Sequence, residues 1–102
     1  AVVAGDWVQE AGTVGQGDTV VAQCRDALGI IHTALREAGA DWADVVRVTY
    51  MLPNRREFEP CWPILSETFG ANPPMATMIE CGLIAPKYRS EIEVTAYRPQ
   101  PA

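Results

Sequence analysis

The chain has no CxxC pair, a single histidine and only three cysteines in 102 residues. A Cys/His zinc site therefore finds no ligands in a recognisable order, and no metal site is expected. Cys24, Cys61 and Cys81 are odd in number and widely spaced, so they read as buried free thiols in a reducing compartment rather than as a disulfide framework. There is no phosphate loop, no dinucleotide glycine pattern and no Ser/His/Asp set. No apolar run approaches the roughly 18 residues of a membrane span. Positive charge is also scarce: eight Lys and Arg stand against thirteen Asp and Glu, a net charge of −5. An acidic surface repels phosphate backbones, which argues against nucleic acid as a partner. No signal peptide is visible, and the chain opens on Ala1 rather than Met. The expectation is a cytoplasmic protein whose N-terminus is trimmed.

What is present is 48% hydrophobic residues with mixed charge, enough for a single domain over residues 1–102 and too little for two. Ala1 to Ala4 and Trp7 to Val14 flank Gly5-Asp6, which reads as a hairpin. Asp18 or Thr19 can cap a helix in which Val20, Val21, Cys24, Ala27, Leu28, Ile31 and Leu35 recur at helical spacing. Gly39 ends that helix, and Gly29 inside it costs about 1 kcal/mol against Ala unless close packing needs it. Val45 to Leu52 is β-rich, with Val46, Val48 and Tyr50 on one face and Arg47, Thr49 and Met51 on the other. In Arg55 to Phe69, the residues Phe58, Trp62, Leu65 and Phe69 form a helical stripe. Pro60 and Pro63 require that the regular helix start near Pro60 or kink there. Met75 to Ile84 reads as a strand, Pro86 and Lys87 as a turn, and Tyr88 to Tyr97 as the last strand. Its Ile92, Val94 and Ala96 face one way, its Glu91, Glu93 and Thr95 the other. The tail from Arg98 to Ala102 reads as loose.

The order ββ-α-β-α-ββ specifies an α+β two-layer sandwich, a mixed sheet with two helices on one face. The other face carries Arg47, Thr49, Met51, Glu91, Glu93 and Thr95, and a chain this short has nothing left to cover it. Packing against further copies of the chain is the expected solution.

Few residues suggest chemistry. His32 lies at the edge of an apolar stripe and reads as a surface or half-buried structural histidine. Glu91 and Glu93 share a strand face at roughly 7 Å, and such a pair can raise one carboxyl's pKa into proton-transfer range. The alternative is a solvated polar face. Glu80 sits in an apolar strand and calls for a partner, with Arg47 and Arg89 the nearest candidates.

The segment Pro74-Met75-Ala76-Thr77-Met78-Ile79-Glu80-Cys81-Gly82-Leu83, followed by Glu91-Ile92-Glu93-Val94-Thr95-Ala96, resembles the RidA/YjgF family, also labelled endoribonuclease L-PSP. Glu10-Ala11-Gly12-Thr13-Val14-Gly15 is similar to that family's Ser-Gly-Gln strand, and Gln23 to Tyr50 is similar to its helix-to-strand passage. The resemblance implies the chorismate-mutase-like fold, a homotrimer, and a small-molecule pocket in the cleft between subunits. It implies hydrolysis of reactive enamines and imines with no cofactor. On this resemblance Glu91 is the water-placing carboxylate; Glu93, one pleat further along the strand, is expected to meet a basic partner such as Arg47. Gly12, Ala76, Met78 and Glu80 fall on substrate-binding positions, Gly12 and Met78 offering backbone groups.

The family's carboxylate-clamping arginine falls on Ala76 and its strand serine on Ala11. A methyl group does not replace a planar cation. The sequence therefore implies an imine or enamine hydrolase whose substrate is not the standard 2-imino acid. A metabolite-binding protein without chemistry, and the endoribonuclease of the family label, are the alternatives.

Overall fold

The computed structural model describes residues 1–99. The last residues of the tail expected to be loose, 100–102, lie outside the described part. Gly5, at φ +62°, turns the chain between strands Val2–Ala4 (β1) and Trp7–Val14 (β2), which pair antiparallel. Thr19, not Asp18, caps helix Val20–Glu37 (α1), its hydroxyl accepting the Ala22 N–H at 3.1 Å. At the other end Gly39 adopts φ +81°. The Ala40 N–H donates to the Leu35 carbonyl at 2.9 Å and the Gly39 N–H to the Arg36 carbonyl at 3.0 Å. Such paired bonds satisfy carbonyls that a helix end leaves open. Gly29 faces open space, so packing does not explain it.

Arg98 corrects the expectation of a loose tail. Its Nε donates to the Ala38 carbonyl at 2.7 Å, and its backbone N–H donates to the Asp6 carbonyl at 2.8 Å. It clasps the end of α1 to the first hairpin. A cation at a helix C-terminus also opposes the negative end of the helix dipole.

A 3-10 turn, Trp42–Asp44, leads into strand Val45–Leu52 (β3). Val45 pairs with Ala96 but Arg47 pairs with Thr95, so one residue is extra. That residue, Val46, bulges out and is 43% exposed. The buried apolar set is therefore Val45, Val48, Tyr50 and Leu52, while Thr49 is buried on the opposite face and Val46 is exposed. Two further 3-10 turns, Arg55–Glu57 and Glu59–Cys61, precede helix Trp62–Phe69 (α2). The regular helix thus starts just after Pro60, and Pro63 sits in its first turn, where a missing N–H is harmless.

The last two strands are shorter than expected. Strand Met75–Glu80 (β4) stops well before Ile84, because its parallel partner β3 ends at Leu52, whose carbonyl takes the Cys81 N–H at 3.0 Å. The final strand is Glu91–Tyr97 (β5), and Tyr88, Arg89 and Ser90 are left out of it. The reason is Gln23, a buried residue of α1. Its amide accepts the Arg89 N–H at 2.8 Å and donates to the carbonyls of Lys87 at 2.9 Å and Gly17 at 3.1 Å. Backbone groups that a neighbouring strand would otherwise satisfy are held by this one side chain.

The five strands lie in the order β1-β2-β5-β3-β4, with β3–β4 parallel and the other pairs antiparallel. Helices α1 and α2 are the crossovers between β2 and β3 and between β3 and β4. Val20, Cys24, Ala27, Leu28, Ile31 and Leu35 of α1 pack with Val8, Val48, Ile92, Val94 and Ala96 in one apolar cluster. Each fully buried Leu or Ile there contributes roughly 1.5–3 kcal/mol. Cys24 and Cys61 are buried in that cluster as free thiols, and Cys81 is half-buried. The neighbouring Cys61 thiol and then burial push the Cys24 thiol far up, keeping it protonated. The opposite sheet face is bare. Trp7, Thr95, Glu93, Glu91, Met51, Met75, Thr77 and Ile79 project from it in register. Met75 and Ile79 are 59% and 46% exposed.

Candidate active site

The pairing of β2 with β5 runs in register from Trp7 to Glu10, then shifts by one residue before Thr13. The extra residue is accommodated at Ala11-Gly12. A glycine inside a strand pattern often marks such a bulge or a close approach, and here it marks both. The Glu91 carboxylate folds over Gly12, so closely that a Cβ at position 12 would run into it. Glu91 opens β5 opposite Val14 and Met51, on the bare sheet face. Among the described residues its carboxylate has no ion-pair or hydrogen-bond partner. The structure thus brings Gly12 and Glu91 together.

It does not bring Ala76, Met78 and Glu80 to them. Ala76 pairs with Val48 and Met78 with Tyr50, both buried on the helix side of the sheet. These positions therefore lie on the opposite face from Glu91, with β3 between their strands. Glu80 finds neither Arg47 nor Arg89. Its Oε2 accepts the Arg55 backbone N–H at 2.9 Å, and Arg89 pairs with Glu57 at 3.3 Å. Glu80 thereby holds the start of the segment that leads to α2. The expected Glu93–Arg47 pair is also not formed among the described residues. Glu93 lies opposite Thr49, while Arg47 is one pleat along, opposite Thr95.

On the helix side, every residue of β4 is left exposed. A cleft of about 280 Å³ opens there between α2 and strands β3 and β4, lined by Tyr50, Phe58, Trp62, Phe69, Pro74 and Ala76 among others. Phe58 stands 5.1 Å from the Tyr50 ring and 6.4 Å from the Trp62 ring, centroid to centroid. The sequence places Phe58, Trp62 and Phe69 on one helical stripe; in the structure Phe69 is buried, Phe58 lies ahead of α2 and Trp62 is 52% exposed.

His32 is structural, as its position implied. Its Nε2 donates to Asp41 Oδ1 at 2.8 Å, and its ring stacks on Trp42 at 5.3 Å. The Trp42 N–H, and then His32, hold the Asp41 carboxyl below its ordinary value. Among the described residues, no group of three His, Cys, Asp or Glu stands close enough to hold a metal ion. Among the same residues, no helix is long and apolar enough to cross a membrane.

The sequence profile of the endoribonuclease L-PSP family matches residues 1–98. The chain is a member of the RidA/YjgF family. A RutC family protein of Pyrococcus abyssi is 32% identical over 89 residues, which cover 87% of this chain and 69% of that one. The crystal structure of Rv2704 from Mycobacterium tuberculosis, described as a YjgF/YER057c/UK114 family member, superposes with a TM-score of 0.90 at 41% identity. That match covers 93% of this chain and 81% of that one. NMB1025 of Neisseria meningitidis, a YjgF family protein, gives a TM-score of 0.83 at 26% identity over 94% of this chain and 82% of its own. The α+β fold is therefore that of YjgF structures.

Proposed function

We infer that this RidA-family chain hydrolyses a neutral imine or enamine in a pocket completed by a second copy of itself, within a homotrimer. The observation that carries the reading is the separation of its two halves. The unpartnered Glu91 carboxylate lies against Gly12 on the bare face, and Ala76 lies at a cleft on the other. One chain cannot fold both around one ligand, so neighbouring copies supply one half each. The exposed Met75 and Ile79 support the same assembly, since apolar groups in that number on a bare sheet face are normally covered.

In this reading Glu91 takes a proton from a water molecule as that water adds to the carbon of the C=N bond. The C–N bond then breaks, and the nitrogen leaves as ammonia with the protons it has gained. Gly12 and Met78 offer backbone groups, and Glu80 orders the loop beside the cleft. Ala76 supplies no charge to clamp a carboxylate, which points away from 2-imino acids. A ribonuclease is disfavoured by the net charge of −5 and by the engagement of His32 with Asp41 and Trp42.

The test is ammonia release from a panel of imines, neutral and carboxylated, with light scattering on the same samples. Neutral imines are expected to turn over, 2-imino acids to fall at least about a hundredfold behind, and Glu91→Gln to remove turnover while leaving Tm in place. The loss of a desolvated charged contact of ~2.7 kcal/mol corresponds to that factor. Robust 2-imino-acid turnover would reject the reading. Binding without ammonia release from any imine would leave a metabolite-binding protein. A monomer at micromolar concentration would remove the shared pocket.

A further inference from the structure

We propose that the cleft between α2 and strands β3 and β4 is a binding site for a neutral, ring-bearing carbonyl or imine compound, whose one polar atom accepts a hydrogen bond from the Tyr50 hydroxyl. This deepens the reading above and rests on it through Ala76, which both share.

The lining decides the class. None of the side chains around the cleft is charged. Four are aromatic, and prolines close the β4 end. A carboxylate entering such a surface loses its hydration and gains no cation in return, so an anion is rejected. The volume decides the size. Cavities of about 150 Å³ accept benzene, and ordinary ligand pockets start near 300 Å³. At about 280 Å³ this cleft takes one or two rings.

Tyr50 decides the orientation. The residue is only 6% exposed, and its hydroxyl, which is not cut off from solvent, has no hydrogen-bond partner among the described residues. Such a donor is open to an acceptor that enters from outside. Tyr50 lines the cleft, where a bound acceptor would supply it. Burial pushes the phenol above its ordinary pKa, so it remains a donor at neutral pH. A ketone or imine on an apolar skeleton has the matching chemistry: one acceptor atom and no charge. An arginine at position 76 would place a cation at the wall of the same cleft, so Ala76 sets the preference for neutral compounds.

Acetophenone and benzoate test this as a pair, since they share a ring and differ in charge. The readout is the indole N–H resonance of Trp62, identified by its loss in Trp62→Phe. Acetophenone is expected to move it saturably, with benzoate at least tenfold weaker. Tyr50→Phe is expected to weaken acetophenone about three- to tenfold, the effect of one hydrogen bond. Ala76→Arg is expected to reverse the order of the two probes. No acetophenone-dependent shift, or equal affinity for benzoate, overturns the proposal. So does a Trp62 signal that follows protein concentration rather than probe, which would put another copy in the cleft. Hydrolysis plays no part in this readout, so a protein that binds acetophenone and releases no ammonia refutes the hydrolase reading alone.

Discussion

Strands β5 and β4 are similar in length, yet their environments differ completely. Ile92, Val94 and Ala96 of β5 are buried beneath α1, whereas every residue of β4 is exposed. β5 lies in the middle of the sheet between β2 and β3, and β4 is an edge strand. The chain has concentrated its cohesion in one half, where an 18-residue helix crosses the centre of the sheet. The other half is left with unfilled surface. Cohesion thus sits on the helix side of β5 while β4 is left open, and substitutions in the two halves should fail in different ways.

The largest effect is expected at Gly15, on the cohesive side. A Cβ there would meet the backbone of α1 at Gln23 and lie 2.7 Å from the Ala27 nitrogen. Backbone cannot rotate away, so α1 must move off the sheet. Gly15→Ala should destabilise by about 3 kcal/mol, roughly 10–20 °C in Tm for a domain of this size. Calorimetry checks this, and an unchanged Tm would mean that α1 is not clamped to the sheet as described. The contrasting experiment is Ile79→Ser on β4. It should change the dilute melting temperature by less than about 0.5 kcal/mol equivalent, while light scattering shows weaker self-association. Global unfolding on that change would erase the distinction between the halves.

The smallest effect sharpens the comparison by pH. The Asp41 carboxyl is held low by the Trp42 N–H and by His32. A depressed folded-state value stabilises above the ordinary carboxylate value of 3.8, and that contribution is lost as pH falls through the lower one. The Tm difference between the wild type and Asp41→Asn should therefore shrink as pH falls below 3.8. A difference that grew on acidification would reverse the sign. The effect stays slight because this ion pair is exposed.

Much of this architecture is legible in the residues themselves. The apolar stripe of α1, the alternation of β5 and the proline placement before α2 all follow from local physics. What escapes is set at a distance. The end of β4 depends on where β3 stops, the start of β5 on an amide from α1, and the outward turn of Val46 on a bulge against β5. Arg98 looks like tail until its reach to Ala38 is seen. For the site, Gly12 and Glu91 are 79 positions apart, and only the sheet order makes them neighbours. The glycine within a strand was the available hint. The absence of a lining charge was visible at Ala76, but the unpaired hydroxyl of Tyr50 was not, because hydrogen-bond satisfaction is a property of the folded chain.

The placement of Glu91 and Ala76 on opposite faces also bears on inheritance. In a closed ring of copies that share sites in the proposed way, each copy contributes its β5 half to one neighbour and its β4 half to the other. A lesion at Glu91 alone then disables one site in a mixed ring. A copy damaged in both halves disables two, although its own fold is intact. Two alleles, each broken in a different half, can rebuild a sound site between them. Dominance and complementation in a cell carrying both forms would thus follow from which face of a single sheet each mutation touches.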